Sequence, residues 1–231
     1  MTTLAIDTSN ELLAIALTKD GVLVGETMTN MKFGQTARLM PAIVSLMEQA
    51  EVAVESLEKI VVAQGPGSYT GVRVGVTTAK TMAWGLDIPL YPISSLAALA
   101  YNASFFDGYV MPFFNARRNA VFTALYRFEA GQLKEVIEEQ YVPLVDWFEK
   151  LAEFADERIV CLSPHIDVYD EVIRENLGER VLIPDSYAHL LRPVHLIEAS
   201  VHSEAVATHD VKPNYLRVTE AEAKLLKGNK K

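Results

Sequence analysis

The chain has 231 residues, half of them hydrophobic and 22% charged, which excludes a disordered or fibrous protein and allows a real core in one large domain or two small ones. Lys and Arg number 21 against 30 Asp and Glu, so the net charge of −9 argues against a protein that holds nucleic acid alone. One cysteine, Cys161, excludes an internal disulfide framework and a cysteine-based zinc site.

The first residues, Met1 to Asp7, lack a basic segment, and Asp7 interrupts their apolar stretch, so they do not read as a signal peptide. No run of 18 apolar residues occurs, so no membrane span and a cytoplasmic location are expected. Leu4–Thr8 reads as a strand. Leu12–Thr18 and Val22–Met28 flank Asp20-Gly21 as a hairpin. A helix is expected over Gln35–Ala50, with Pro41 starting or kinking it. Lys59–Gln64 reads as a strand, followed by a Gly/Pro loop and a helix over Val72–Leu86. Pro89–Ile93 is a further strand, and Ser94 caps a helix running to Asn102.

A second set follows the Asp107-Gly108 turn. Strands are expected near Tyr109–Asn115, Ala120–Arg127 and Leu133–Tyr141, then a helix near Val145–Phe154 and a strand over Arg158–Leu162. Helices near Val168–Leu177 and Val194–Ala207 complete it. Hairpin strands leading into helix–strand units, twice over, predict two related α/β units: residues 1–104 and 105–217, with a tail over 218–231. Residues 1–100 carry only nine acids and six bases, which suggests extra buried surface, either internal or against a partner. Residues 129–158 form a solvated acidic stretch, and the four lysines from Lys224 to Lys231 make a basic end, either a frayed solubilising tail or an RNA contact.

Three places could carry chemistry. Asp7, Thr8 and Ser9 close the first strand at a strand–turn–strand corner. Such a corner can hold a metal-bound phosphate, or can simply bond local backbone amides. The second is Gln64-Gly65-Pro66-Gly67-Ser68-Tyr69-Thr70-Gly71-Val72-Arg73-Val74-Gly75, a strand–loop–helix passage. Gly65, Gly67 and Gly71 permit close backbone approach, Ser68 and Thr70 can cap the helix or bond phosphate, and Arg73 adds charge. The spacing fits no Walker A loop, no Gly-x-Gly-x-x-Gly and no nucleophile elbow, so a tight structural turn stays open beside a phosphate loop.

The third is the helix pair. Leu39, Ile43, Leu46 and Ala50 form one apolar stripe, and Met40, Val44 and Met47 form a second. On the later helix Val76, Ala79, Ala83 and Leu86 share a side, with Met82 and Trp84 elsewhere. The pair reads as a two-sided core or as a protein–protein face. Cys161, in an apolar run, reads as a packed thiol rather than a nucleophile. His195, His202 and His209 are seven apart, about 10.5 Å on a helix, too far to share a metal.

The Leu4-Ala5-Ile6-Asp7-Thr8-Ser9 start, the Gly65–Gly75 block and Pro213-Asn214-Tyr215-Leu216-Arg217 together resemble the bacterial TsaB, or YeaZ, family of tRNA threonylcarbamoyladenosine biosynthesis proteins. The resemblance implies an α/β actin/Hsp70/sugar-kinase (ASKHA) fold with two related subdomains. It implies a non-catalytic partner in forming N6-threonylcarbamoyl on adenosine 37 of tRNAs that read codons starting with A. A catalytic paralogue, TsaD, would carry the metal and transfer the group, and a TsaE-like ATPase would join the pair. The N-terminal helices would pair with TsaD, or self-pair as a homodimer when the chain is alone. Leu39, Met40, Ile43, Val44, Met47, Val76, Met82 and Trp84 are the expected interface. ATP or ADP, tRNA and the metal would be met through the complex, with no cofactor held tightly by this chain.

The chain departs from its catalytic relatives at three places. The His-x-x-x-His metal pair is replaced by Phe33-Gly34-Gln35-Thr36-Ala37-Arg38-Leu39. The glycine that kinases place after the first-loop aspartate is Thr8, and Asp-Ala-Arg at the second subdomain is Asn115-Ala116-Arg117. All three favour a scaffold with a degenerate site over an ATP-dependent kinase or ATPase. A peptidase reading finds neither a metal pair nor a nucleophile triad.

Overall fold

The computed structural model describes residues 1–30 and 34–217. The lysine-rich end lies outside the described residues.

Two five-stranded sheets organise the chain. The first holds β1 (Thr2–Asp7), β2 (Leu12–Lys19), β3 (Val22–Asn30), β4 (Lys59–Ala63) and β5 (Leu90–Ile93), in the order β3-β2-β1-β4-β5. The helices α1 (Gln35–Gln49), α2 (Tyr69–Leu86) and α3 (Ser95–Ala100) belong to this half. The second sheet holds β6 (Tyr109–Asn115), β7 (Ala120–Glu129), β8 (Gln132–Pro143), β9 (Ile159–Leu162) and β10 (Val181–Leu182), with α4 (Leu144–Leu151), α5 (Ile166–Leu177) and α6 (Val194–Ala199). Read from its hairpin edge, its order is β8-β7-β6-β9-β10, the first sheet's topology repeated. In each half the first strand is central, antiparallel to its hairpin partner and parallel to the fourth.

Alternation along the central strands builds three cores. Leu4 and Ile6 face one way with Ile15, Leu17, Ile60 and Val62, under α1 and α2. Ala5, Ala16, Val61 and Ala63 face the other way, and meet α3, α6 and the inner face of the second sheet through Val110, Phe114 and Val160. Small alanines on that side let α6 lie close to β1, β2 and β4, while α3 packs on β6 and β7. Met111, Phe113 and Cys161 point outward beneath Trp147 of α4 and Ile173 of α5. The layers are therefore helices, sheet, helices, sheet, helices, sharing one central core.

Of the two places expected for Pro41, the start of α1 is excluded, because the helix begins at Gln35 and carries Pro41 in its interior. Two further expectations needed correction. The last helix stops at Ala199 instead of Ala207, where Ser200 Oγ donates to the Ile197 carbonyl at 2.6 Å and a 3-10 turn takes over. The chain from Val206 onward also leaves the second unit. Val206 bridges to Leu90, Val211 is buried in the first core, and Lys80 Nζ donates to the Val211 carbonyl at 2.8 Å. This strap lays Asn214, Tyr215 and Arg217 across the gap between the two halves.

Candidate functional site

The corner after β1 and the glycine block are brought together. Asp7 is 3% exposed, and its Oδ1 accepts the Ser9 amide at 2.7 Å. Burial pushes its carboxyl above the usual range, against the opposing pull of its bonds to Ser9. Thr8 Oγ1 donates to the Gly71 carbonyl at 2.7 Å, and the Ser68 amide donates to the Ser9 carbonyl at 2.6 Å. Ser95 Oγ reaches Ser9 Oγ at 2.9 Å. Ser68 caps α2 by accepting the Gly71 amide at 3.3 Å.

The glycines serve that packing. A Cβ on Gly67 would lie 2.1 Å from the Ser9 carbonyl oxygen, and one on Gly71 would lie 2.1 Å from that of Thr8. On Gly75 it would meet Thr8 Oγ1 at 2.6 Å. The face of α2 that a phosphate loop would keep clear for ligand is pressed onto the chain's own backbone. Gly65 is buried at a φ of 97°, a left-handed value that favours glycine. Thr70 is exposed.

Arg73 points outward to the strap. Its Nε donates to Tyr215 Oη at 2.7 Å, and its guanidinium lies 4.1 Å from the centre of the Tyr69 ring. Tyr69 and Tyr215 stack with centroids 5.0 Å apart. Beside them lies a cavity of about 440 Å³, lined by Gly67, Tyr69, Tyr215, Arg217 and, from the β6–β7 turn, Arg117 and Arg118. Arg117, Arg118 and Asn119 hold φ values of 65°, 54° and 58°, a left-handed conformation that costs about 1–2 kcal/mol per ordinary residue. Asn115 steadies the turn, its Oδ1 accepting the Arg117 amide at 2.8 Å and the Tyr169 hydroxyl at 3.0 Å.

The helix pair divides cleanly. Leu39, Ile43, Met47 and Val76 are at most 5% exposed and belong to the first core, so these four expected interface residues are core residues instead. Met82 is half-buried against the same core. Met40, Val44 and Trp84 face outward at 44%, 49% and 79% exposure. One of the two stripes on α1 is therefore core and the other is surface, with Met47 on the core side.

Sequence reasoning missed a second cavity, of about 630 Å³, between the halves. Glu139 sits on its wall. Its Oε1 accepts the Tyr126 hydroxyl at 2.8 Å and the Ser94 hydroxyl, and its Oε2 accepts the Asn214 side-chain amide at 3.1 Å. Burial raises its carboxyl above the usual range. These four residues lie on four separate segments, and no local motif connects them.

Cys161 is fully buried, its thiol pushed up to about 12 by desolvation, with Sγ 3.7 Å from Met111 Sδ. It is a packed thiol. His189 bridges the Ser163 amide and the Pro184 carbonyl, a structural link, and burial lowers its pKa. Among the described residues no three His, Cys, Asp or Glu side chains gather as a metal site, and no helix is long and apolar enough to cross a membrane.

The chain's relatives agree with the resemblance drawn from its motifs. The family described as TsaD, tRNA N6-adenosine threonylcarbamoyltransferase, matches residues 35–173. The tRNA threonylcarbamoyladenosine biosynthesis protein TsaB of Bacillus subtilis is 44% identical over 230 residues, covering 100% of both chains. The TsaB of Haemophilus influenzae is 27% identical, covering 94% of each. A Pseudomonas aeruginosa structure, described as an uncharacterized protein with similarity to peptidase YEAZ, superposes with a TM-score of 0.79 at 25% identity over 94% of this chain and 99% of that one. The doubled β3-β2-β1-β4-β5 sheet gives the two related α/β halves that the resemblance to the actin/Hsp70/sugar-kinase fold implies. From the glycine block to the strap, the chain belongs to the TsaB (YeaZ) family of tRNA threonylcarbamoyladenosine biosynthesis proteins.

Proposed function

We propose that this chain is the accessory, non-catalytic subunit of a tRNA threonylcarbamoyltransferase. It pairs with a TsaD-like catalytic paralogue and holds it in the form that accepts a TsaE-like ATPase and tRNA. The pair then supports transfer of the threonylcarbamoyl group to N6 of adenosine 37 in the cytoplasm. The metal and the ATP or ADP of the cycle belong to the complex.

One observation carries this reading: α1 and α2 cover the first sheet, yet still expose Met40, Val44 and Trp84. A tryptophan left 79% exposed on a helix is an anchor awaiting a partner. The corner at Asp7 supports it from the other side, because its hydroxyls and glycines are spent on internal bonds. The paired face should bury about 800 Å² per partner. When the paralogue is absent, the same face closes a homodimer.

The test is size-exclusion chromatography with light scattering, run on the chain alone and mixed with the TsaD of the same genome. Both samples are assayed for modified adenosine with TsaE and the donor-forming enzyme supplied. A one-to-one complex, with activity only in the mixture, is the expected result. ATP turnover by the isolated chain, lost on Asp7→Ala, would replace this reading with an ATPase of the same fold.

A further inference from the structure

We propose that the pairing face does not end at Trp84 but runs along α2 onto the C-terminal strap, so that a docked partner also clamps the strap and fixes the two halves against each other. The proposal rests on the reading above, and adds to it a partner contact at Arg73 and Tyr215. Helix geometry places that contact. At about 100° per residue, Tyr69, Arg73, Thr77 and Trp84 fall within about 80° of one another, in a row about 22 Å long on α2. All four are exposed, and Trp84, the anchor of the pairing face, stands at the C-terminal end of the row. A partner that receives Trp84 along this helix therefore meets Arg73 as well.

The other end of the row is fastened to the strap. Arg73 Nε donates to Tyr215 Oη, its guanidinium lies over the Tyr69 ring, and Tyr69 and Tyr215 stack. The two rings keep 43% and 39% exposure, so strap and helix present one continuous surface here. Among the described residues Arg73 makes no ion pair. A guanidinium carries five donors in a planar fork, so it can hold Tyr215 through Nε and a carboxylate through its terminal nitrogens at once. This states the partner's chemistry: an apolar surface with a pocket for Trp84, and a carboxylate about 16 Å further along α2, the rise over the eleven residues from Arg73.

What the partner holds at Tyr215 it also holds at Asn214. The Asn214 amide donates to the Gln64 carbonyl at 2.7 Å in the first half, and its side chain donates to Glu139 at 3.1 Å in the second. Lys80, on α2 itself, grips the strap a second time through the His209 and Val211 carbonyls, at 3.1 and 2.8 Å. The strap is thus bonded to the pairing helix at two places and to both halves at one residue. Coupling between two such sites is reciprocal. If docking steadies the strap, a well-seated strap strengthens docking by the same factor, and Asn214, away from the α2 row, becomes a modifier of pairing.

The experiment measures amide hydrogen exchange by mass spectrometry on the full-length chain, alone and saturated with the TsaD of the same genome, together with the pairing Kd of each variant. Strap peptides covering residues 206–217 should exchange about ten-fold more slowly in the complex. Arg73→Gln and Tyr215→Ala should each weaken pairing about ten-fold, and Asn214→Ala about five-fold. Tyr215→Phe, which keeps the stack and loses the hydroxyl, should fall between Tyr215→Ala and the parent. Arg174→Glu, on the outer helix α5, is the control and should leave pairing unchanged. The proposal falls if the complex forms with strap exchange as in the free chain, or if α5 peptides slow as much as the strap, which marks a general stabilisation. It also falls if Arg73→Gln and Tyr215→Ala pair like the parent. Each of these results leaves the scaffold reading in place. A parent chain that forms no complex removes the scaffold reading, and this proposal with it.

Discussion

Thr8 and Gly71 are locked together at close range: the Thr8 side-chain Oγ1 donates to the Gly71 carbonyl at 2.7 Å, and the hydrogen on Gly71 that any side chain would replace points at the Thr8 carbonyl. This contact seats α2 on the end of β1. Gly71→Ala should therefore cost about 3 kcal/mol in urea unfolding, at the upper end of overpacking losses, because the group its Cβ would strike at 2.1 Å, the Thr8 carbonyl, is backbone and cannot swing aside. Gly85 lies in the same helix with nothing within 4 Å of an added Cβ. Gly85→Ala should stabilise the chain by about 0.5–1 kcal/mol. Equal effects at the two positions would refute the packing role.

The buried Asp7 makes stability depend on pH in a defined direction. Burial raises its pKa in the folded chain, so the folded state holds this proton more tightly than the unfolded state does. Stability is fully present below the ordinary carboxylate pKa, and falls as pH rises toward the raised folded value. Asp7→Asn removes that loss, while its side-chain oxygen still accepts the Ser9 amide. Its melting temperature should match or trail the parent in acid and exceed it at neutral pH by a few degrees, about 1 kcal/mol for a chain of this size. Threonylcarbamoylation with the partner should be unchanged. Loss of activity with intact melting would make Asp7 a phosphate ligand after all.

Val44 and Ile43 are neighbours on α1 with opposite fates, 49% and 1% exposed. Val44→Asp should leave the circular dichroism spectrum and melting temperature intact, and abolish the complex with TsaD. Trp84→Ala should weaken pairing by 2 kcal/mol or more, roughly thirty-fold in Kd. Ile43→Asp buries an unpaired charge and should unfold the chain, so it says nothing of pairing. Pairing that survives Val44→Asp and Trp84→Ala would move the interface to another surface.

Much of the fold was legible because hydrophobic period and turn chemistry act locally. Asp20-Gly21 announced the β2–β3 hairpin, and Ser94 announced the start of α3, where its hydroxyl accepts the Leu96 and Ala97 amides. The glycine block was legible as a close approach, but not as an approach to what. Only the fold shows that Ser9 and Thr8 fill the space. The helix pair was half legible. Two stripes on α1 predicted burial on two sides, yet a sequence cannot say which stripe meets the sheet and which is left outside. Glu139 gave no signal, because its partners Ser94, Tyr126 and Asn214 come from distant segments. The strap was missed for the same reason: Val211 reads as a loop residue until it is found in the first core.

Asn214 ties the two halves, and its replacement should loosen them. Its backbone amide donates to the Gln64 carbonyl at 2.7 Å in the first half, and its side chain donates to Glu139 at 3.1 Å in the second. Asn214→Ala keeps the backbone bond and strips one donor from a buried carboxylate. The cost should be about 1–3 kcal/mol, read as a lower midpoint in urea. Asn214→Asp is more severe, because it sets a second carboxylate against Glu139, whose pKa burial already raises. The repulsion needs both groups ionised. The Asp variant should therefore be less stable than the Ala variant at neutral pH, and overtake it as acid protonates one member of the pair. A gap between the two variants that stays constant with pH would show that the side chain of Asn214 does not engage Glu139 in solution.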